Sequence, residues 1–361
     1  MATDLLSVDT TTAKPQIAPE DQPVDVAIVD TAVVVEKDVD AEAAFKTETI
    51  DAERAGQGTV EKDAPNNDVS QSRSVYSDYI QLTKPRIVVM ILVTTAATAV
   101  LGAGGLVSLL DLCWLLFATA LVAGSAGGAN QVWERKIDCD MPRTASRPLP
   151  AGRVSTLPAA IYVLCLGVLG TALLQQMFGW VPAMAGVATW LLYVLVYTPM
   201  KTRTAWNTTV GAVAGALPVL IGYTAMGGSL MAWTPWLLVA VLVTWQYPHF
   251  MSIAWMYRRQ YAEAGFCMTT TIEPTGRSAG WQSIAGSIGL LFCAVTLCWI
   301  PSGIPGAILG SIAAFASGYP MLRASINFAA NPNDVLARKL LRSSLLVLPA
   351  ILAIVTIRVF W

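Results

Sequence analysis

Long apolar runs dominate the chain from Pro85 to the carboxy terminus, and short polar segments separate them. Each run has about 20 residues, the length that an α-helix needs to cross a bilayer. The runs lie at residues 86–107, 111–133, 158–178, 180–199, 207–227, 233–256, 281–300, 304–322 and 341–360. The fifth is interrupted by Gly211, Gly215 and Pro218, but small residues allow close helix packing in membranes. The pattern predicts an all-α, polytopic membrane protein with nine transmembrane helices.

The polar segments between the runs alternate in charge. Nearly all Lys and Arg residues of this part lie at residues 84–86, 134–157, 200–206, 257–280 and 323–340. The intervening segments hold almost no charge beyond Asp111. Because cytoplasmic loops are enriched in Lys and Arg, we expect a bacterial-type inner-membrane protein. Its amino terminus and basic loops would face the cytoplasm, and its carboxy terminus the outside.

The amino-terminal part has a different composition. The whole chain is 55% hydrophobic and 13% charged, with a mean hydropathy of +0.55. Residues 1–80, however, contain 17 acidic and 6 basic residues, and Phe45 is the only aromatic residue before Tyr76. Such a segment buries too little apolar surface to offset the entropy of ordering. The composition predicts a disordered acidic cytoplasmic extension at residues 1–75, followed by one membrane domain at 76–361. It has the features of neither a secretory signal nor a mitochondrial presequence.

The six cysteines form no CxxC pair, and four of them lie within apolar runs or at their ends. We therefore expect small buried side chains, with neither a disulfide framework nor a zinc site. No nucleic-acid partner is predicted.

A polar stripe follows the second apolar run. If that helix continues to about Asp138, then Asn130, Glu134 and Asp138 follow one another at intervals of four residues and share one face. Pro142 would then end the helix. Two carboxylates and an amide oxygen suit a hard cation such as Mg²⁺, which completes its coordination with substrate phosphates. Alternatively, these acids are a helix end that pairs with Arg135 and Lys136. Asp140 falls outside the stripe, and we expect it to be solvated.

Two basic segments accompany the stripe. Arg143 and Arg147 lie on the Pro-rich loop that follows, and their forked guanidinium groups match the geometry of phosphate oxygens. For Arg153, we expect only the positive charge that is typical of a cytoplasmic loop. Lys201 and Arg203 lie between the fourth and fifth runs and are further candidates for phosphate binding. For all four candidates, the alternative is a purely topological role.

Polar residues flank the second of these basic segments. Tyr197 precedes it and Asn207 follows it, and Asn207 also suits a helix N-cap.

His249, the only histidine, lies in the sixth run within the sequence WQYPHF. An ionisable residue inside a membrane segment is costly and usually functional. It could ligate haem iron or handle a proton, or it could be a packed, hydrogen-bonded side chain. Glu263 is the only acid close to the end of this run.

Three blocks resemble the motifs of the UbiA-type intramembrane prenyltransferases. The first is NQVWERKID with DMPRTASRPLPAGRVS; the others, YTPMKTRTAWNTTVGAVAGALPVLIGY and WQYPHF with QYAEAGFCM, are similar to the form found in the haem-farnesylating branch of that family. The resemblance covers about residues 76–361. It implies nine helices around a central cavity and Mg²⁺-assisted transfer of a farnesyl group from farnesyl diphosphate to a vinyl group of haem B. Addition of water then gives haem O.

The resemblance also assigns individual residues. Asn130, Glu134 and Asp138 occupy the first metal motif, although that family usually has Asp at the position of Glu134. Gln260 stands where the family usually has an Asp of the second metal motif, and Glu263 could replace it as a ligand. Aromatic residues including Trp245 would line the cavity and protect the reactive carbocation from water. A haem–copper oxidase assembly protein would be a possible partner.

Three alternatives remain open. Another member of the same family would prenylate a quinone precursor or a chlorophyll-type ring. A transporter would place polar groups near the middle of the membrane, whereas the charges here lie at one rim. A structural assembly factor would have no such activity.

Overall fold

The computed structural model describes residues 74–301 and 303–360. The predicted acidic extension therefore lies outside the described residues, apart from its last two positions. Within the described ranges, nine helices are long and apolar enough to cross a membrane. In chain order they are α1 (Pro85–Ala103), α2 (Leu109–Glu134), α3 (Thr156–Phe178), α4 (Trp180–Met200), α5 (Asn207–Ala225), α6 (Trp233–Met256), α7 (Arg277–Cys298), α8 (Ile304–Ala330) and α9 (Asp334–Phe360). The prediction of nine membrane-length helices is confirmed.

The last two helices extend beyond their apolar runs. Residues 323–340 were expected to form a basic loop, but α8 continues to Ala330 and α9 begins at Asp334. Asn333 caps α9, because its side chain accepts a hydrogen bond from the backbone N–H of Leu336 at 2.9 Å. Apolar character marks the part of a helix that lies in lipid, whereas helical hydrogen bonding continues into polar sequence. The sequence therefore underestimated both lengths.

The helices pack into a bundle in which α5 lies deepest. Its most apolar stretch is 67% buried, more than that of any other span. Its second half contacts α1 and α4, and its first half contacts α6 and the last part of α4, while α1 also contacts α2 and α9. A break at Leu217 and Pro218 divides α5 into two helices, as expected where proline removes a backbone donor.

Glycines in α5 allow this close packing. A Cβ atom on Gly211 would lie 2.6 Å from the ring of Tyr197, and one on Gly215 would lie 2.5 Å from the side-chain oxygen of Gln246. Larger residues would push α4 and α6 away from α5. The interruptions that weakened the sequence pattern are therefore packing positions.

Many large apolar side chains are exposed on the outer helices, among them Leu164, Phe292 and Phe315. Exposure on this scale would be unusual in water, but it is expected of a surface that contacts lipid. All six cysteines are free. Cys293 and Cys298 are buried as expected, whereas Cys113, Cys139 and Cys165 are exposed, which contradicts the expectation of buried side chains because these three lie on the outer surface of the bundle or its loops.

Candidate active site

A cavity of about 350 Å³ lies inside the bundle. One part of its wall is polar and comes from α2, α4 and the loops beside them. The polar side chains are Lys84, Asn130, Glu134, Asp138, Arg143, Arg147 and Lys201. The remaining wall is mostly apolar and includes Ile91, Val122, Ile221, Leu242 and Phe250. The cavity therefore combines a charged opening with an apolar interior.

The stripe predicted at the end of α2 forms differently from the expectation. The α-helix ends at Glu134, and Asp138 lies in a 3₁₀ turn, Ile137–Asp140. Pro142 does not end α2 but begins a short helix, Pro142–Ala145, a position that proline favours. Thr144 donates its hydroxyl to the backbone carbonyl of Asp138 at 3.0 Å and so fixes the turn. Asn130, Glu134 and Asp138 nevertheless all line the cavity.

Each oxygen group of the stripe contacts a basic side chain. Lys201 Nζ lies 2.7 Å from Glu134 Oε1, and Lys84 Nζ lies 2.6 Å from Asn130 Oδ1. Arg147 donates through one nitrogen to both oxygens of Asp138, at 3.1 and 2.9 Å. Both lysines come from the ends of other helices, since Lys84 precedes α1 and Lys201 follows α4.

The alternative pairing with the neighbouring bases is not observed. Arg135 donates to the backbone carbonyl of Val132 at 2.8 Å, and Lys136 is exposed. Asp140 is exposed as expected. The buried acids therefore pair with cations that face the cavity.

Lys84 is a cavity residue that sequence reasoning treated only as topological charge. It adopts the left-handed conformation, with φ 53°, and is the only non-glycine residue with positive φ among those described. That conformation costs a side-chain-bearing residue roughly 1–2 kcal/mol. Burial, together with the positive charges of Arg147 and Lys201, lowers the pKa of Lys84 to about 7. The KPR sequence at the start of α1 was the available signal.

Lys201 has the opposite electrostatic balance. Burial opposes its positive charge, but the carboxylate of Glu134 raises the pKa of Lys201 above its ordinary value, as do Tyr197 and Tyr193. Its ammonium group also lies 4.8 Å from the centre of the Tyr197 ring. Lys201 is therefore a permanent cation at the cavity opening.

Tyr193 and Tyr197 both line the cavity, and both lie in a π-helical segment, Leu192–Tyr197, that interrupts α4. Such segments frequently occur at functional sites. Thr198 donates its hydroxyl to the backbone carbonyl of Tyr193 at 2.8 Å and accepts a hydrogen bond from Asn130 Nδ2 at 3.0 Å. This contact orients Asn130 so that its oxygen faces Lys84.

The arginines separate into two groups. Arg143 lines the cavity, with its guanidinium 4.7 Å from the centre of the Tyr257 ring and 3.3 Å from the hydroxyl of Tyr261. Arg203 is exposed and does not line the cavity, contrary to its expected phosphate-binding role. Arg153 lies outside the cavity and pairs with Asp78 at 3.0 Å.

His249 lies in the cavity wall and is 2% exposed. Its Nδ1 is 3.0 Å from the hydroxyl of Ser344, and its ring stacks on Trp245 with 4.8 Å between ring centres. The indole N–H of Trp245 donates to the backbone carbonyl of Ser344 at 2.7 Å. These contacts join α6 to α9 and fix the ring through one nitrogen, which leaves Nε2 for a ligand.

The remaining predicted residues lie outside this cavity. Asn207 begins α5, and its side chain donates to the carbonyls of Thr204 and Cys267 at 2.6 and 2.9 Å. Glu263 is exposed, which contradicts its expected role as a ligand in the cavity. Gln260 is partly exposed, but its side-chain oxygen is buried and has no hydrogen-bond partner among the described residues.

Comparisons with known proteins place this architecture in a class. The model of the UbiA prenyltransferase family matches residues 91–346. The chain therefore belongs to the UbiA prenyltransferase family, a class of helical membrane proteins with a central cavity. It is 60% identical over 283 residues to a protoheme IX farnesyltransferase of Rhodopirellula baltica, which covers 77% of this chain and 99% of that protein. A protein of the same name from Solibacter usitatus is 37% identical over 289 residues, covering 76% and 96%.

Solved structures show the same fold at low sequence identity. A digeranylgeranylglyceryl phosphate synthase structure gives a TM-score of 0.65 at 15% identity and covers 79% of this chain and 98% of that one. A UbiA homologue from Archaeoglobus fulgidus bound to DMAPP and Mg²⁺ gives 0.57 at 16% identity and covers 78% and 99%. These similarities establish the bundle.

Proposed function

We propose that this chain transfers a farnesyl group from farnesyl diphosphate to a vinyl group of haem B, with addition of water, to give haem O. The observation that carries the proposal is a single cavity with a charged opening and an apolar interior that contains His249. The name of the relative at 60% identity supports the choice of substrates. A diphosphate head group would bind at the charged opening, and the prenyl chain would lie against the apolar wall.

The donor set at the opening fits one Mg²⁺ ion. Asn130, Glu134 and Asp138 offer hard oxygen ligands, and diphosphate oxygens complete the coordination that Mg²⁺ prefers. The proposed set contains only two acids, and no group of three or more His, Cys, Asp or Glu side chains that could hold a metal occurs in residues 74–301 and 303–360. The proposed site therefore needs the amide oxygen and the diphosphate as further ligands. A bound Mg²⁺ would neutralise charge that develops on the diphosphate. The relative from A. fulgidus with DMAPP and Mg²⁺ supports this assignment.

The basic residues act on the leaving group. We assign Lys84, Arg143, Arg147 and Lys201 to the diphosphate, where their positive charge stabilises the transition state as the bond between farnesyl C1 and oxygen breaks. Because each of them already lies beside the cavity, little reorganisation is needed. When the diphosphate binds, its oxygens replace the side-chain oxygens of the stripe as the hydrogen-bond partners of Lys84, Arg147 and Lys201.

The apolar wall controls the carbocation. Trp245 and Phe250 line the cavity and exclude water from the farnesyl cation. The electron pair of the haem vinyl group forms the new carbon–carbon bond to C1. Water then adds to the resulting cation beside the porphyrin and loses a proton, which gives the hydroxyethylfarnesyl side chain. We assign His249 to haem, as a ligand of the iron through Nε2 or as a proton carrier.

The basic end of the bundle would face the cytoplasm, with the amino terminus inside and the carboxy terminus outside a bacterial-type inner membrane. The product would then pass to a haem–copper oxidase assembly partner.

Expression in a host that cannot make haem O tests the function. Extracted haems are separated by chromatography and identified by mass, and we expect a new, more hydrophobic haem with the mass of haem O. In isolated membranes its formation should require haem B, farnesyl diphosphate and Mg²⁺ and should stop with a chelator. Prenylation of a quinone precursor or a chlorophyll-type ring, with haem B unchanged, would contradict the proposal.

A further inference from the structure

A second cleft lies between α8 and α9. Its volume is about 240 Å³, and none of its lining residues lines the central cavity. It is lined by Tyr319, Pro320, Arg323, Ala324, Asn327, Leu336 and Lys339. The function proposed above uses none of these side chains.

Helical spacing places polar residues along this cleft. Tyr319, Arg323 and Asn327 follow one another at intervals of four residues on one face of α8. Leu336 and Lys339, three residues apart, supply the facing side of α9. The residues that border the cleft therefore carry a phenol, a guanidinium, an amide and an ammonium group, all of which can donate hydrogen bonds.

The two cations in the cleft form no ion pair with an acid of residues 74–301 and 303–360. The four ion pairs found among these residues involve neither Arg323 nor Lys339. Asp334, the acid at the start of α9, pairs with Arg258 at 2.9 Å. Because no described acid pairs with Arg323 or Lys339, the cleft favours an anionic ligand.

Both cations lie at a similar depth below the basic end of the bundle. Arg323 precedes the end of α8 by seven residues, and Lys339 follows the start of α9 by five. At 1.5 Å per residue, each lies roughly 8–10 Å along its helix. Further along, Phe315 and Leu346 are exposed apolar residues. The cleft therefore lies where lipid headgroups meet acyl chains.

We propose that this cleft binds the phosphate headgroup of an anionic phospholipid. The guanidinium of Arg323 and the ammonium of Lys339 hold the phosphate oxygens, and Tyr319 and Asn327 donate further hydrogen bonds. Basic pockets between membrane helices bind such headgroups in other proteins. The acyl chains lie against the exposed apolar surface of α8.

Ordinary topological charge gives a different expectation. Arg338 and Arg342 are exposed on the same helix, carry the same charge and do not line the cleft. A role in topology would make these two arginines equivalent to Arg323 and Lys339. A headgroup site predicts that Arg323 and Lys339 affect lipid binding, whereas Arg338 and Arg342 do not.

The test measures lipid binding to the purified full-length protein. Nanodiscs contain phosphatidylcholine with or without phosphatidylglycerol, and bound lipids are quantified by native mass spectrometry. We expect wild type to retain phosphatidylglycerol preferentially. Arg323→Gln with Lys339→Gln should weaken this preference at least tenfold, whereas Arg338→Gln with Arg342→Gln should leave it within about twofold. The single variants Arg323→Gln and Lys339→Gln are measured as well, in case the double variant does not fold.

Three results would overturn the proposal. The first is equal retention of both lipids by wild type. The second is an equal loss in the cleft pair and the control pair, which would indicate general surface charge. The third is displacement of the lipid by inorganic phosphate at similar concentration, which would indicate a site for a soluble anion.

Discussion

Buried acids occur in the wall of the central cavity and also outside it, in the amino-terminal helix Val75–Leu82, and their surroundings differ. Asp138 pairs with Arg147 at 2.9 Å, and both side chains line the cavity. Asp78 pairs with Arg153 at 3.0 Å, and neither lines it. Inside, a ligand can compete for either partner. Outside, the pair joins the helix to the loop before α3. The same pairing of Asp with Arg therefore belongs to the proposed catalytic site in one place and anchors structure in the other.

Removing the carboxylate charge in each pair is the strongest test of whether the two pairs have different roles. We expect Asp138→Asn to lower the rate of haem O formation by roughly 10²–10³, because it removes a proposed metal ligand and disturbs the electrostatics of the leaving group. Asp78→Asn should instead lower the thermal unfolding temperature while the folded protein keeps its turnover. Both variants are assayed in membranes against haem B, and their unfolding is followed in detergent.

Asp140→Asn is the matched control, since Asp140 is exposed and lies two residues from Asp138. It should behave as wild type. An active Asp138→Asn enzyme would refute the assignment of the metal ligand.

The two lysine–oxygen contacts sharpen the comparison within the cavity. Lys201→Met should lower kcat/KM for farnesyl diphosphate by about 10- to 100-fold, the cost of one charge-assisted hydrogen bond to phosphate. It also leaves Glu134 without its cation. Initial rates at varied farnesyl diphosphate concentration give the ratio.

Arg203→Met removes a neighbouring positive charge that is exposed and lies outside the cavity. It should change kcat/KM by less than about twofold. Equal losses in Lys201→Met and Arg203→Met would indicate general electrostatic attraction in place of a specific contact.

The sequence predicted most of the fold, and the reason is physical. Apolar runs near 20 residues require helices in lipid, so the number of spans followed from length alone. Features set by packing were not predictable in this way. The π-helical segment of α4 is one such feature, and it ends beside Thr198, which accepts a hydrogen bond from Asn130 of another helix. Likewise, α2 ends at Glu134 although the pattern of polar residues continues.

Site residues were predictable where a polar side chain lies in an apolar run. They were not predictable where the backbone conformation determines whether a side chain reaches the cavity. Asn130 and Glu134 stood out because they enter an apolar run. Lys84 did not, because its position in the cavity depends on a left-handed backbone. The sequence did not decide between Gln260 and Glu263, because charge alone cannot indicate which face of the short helix Arg258–Glu263 is exposed.

His249 lies in the mostly apolar part of the cavity wall, away from the charged residues compared above. We expect His249→Ala to raise KM for haem B by about tenfold, equivalent to roughly 1.4 kcal/mol, and to leave KM for farnesyl diphosphate unchanged. Ser344→Ala should have a smaller effect in the same direction, because Ser344 only orients the ring. Absorbance titration with haem reports binding separately from turnover. If only the KM for farnesyl diphosphate changes, His249 contacts farnesyl diphosphate and not haem.

Lys84 should have a weaker effect than Lys201, because burial lowers the pKa of Lys84 to about 7 whereas the pKa of Lys201 is raised. We expect Lys84→Met to weaken inhibition by inorganic pyrophosphate by about fivefold, near 1 kcal/mol. Arg86→Met is the control, since Arg86 is exposed two residues further along. If both variants weaken inhibition equally, Lys84 makes no direct contact with the diphosphate.

The smallest effect concerns the second metal motif, where Gln260 and Glu263 both lie outside the cavity but differ in burial. Gln260→Ala should lower the rate about threefold, because its buried side-chain oxygen has no partner among the described residues and can accept a hydrogen bond from bound water. Glu263→Ala should leave the rate unchanged, because Glu263 is exposed and lies outside the cavity. Parallel haem O assays at limiting Mg²⁺ compare the two. A larger loss in Glu263→Ala would mean that the short helix Arg258–Glu263 turns toward the cavity when substrate binds.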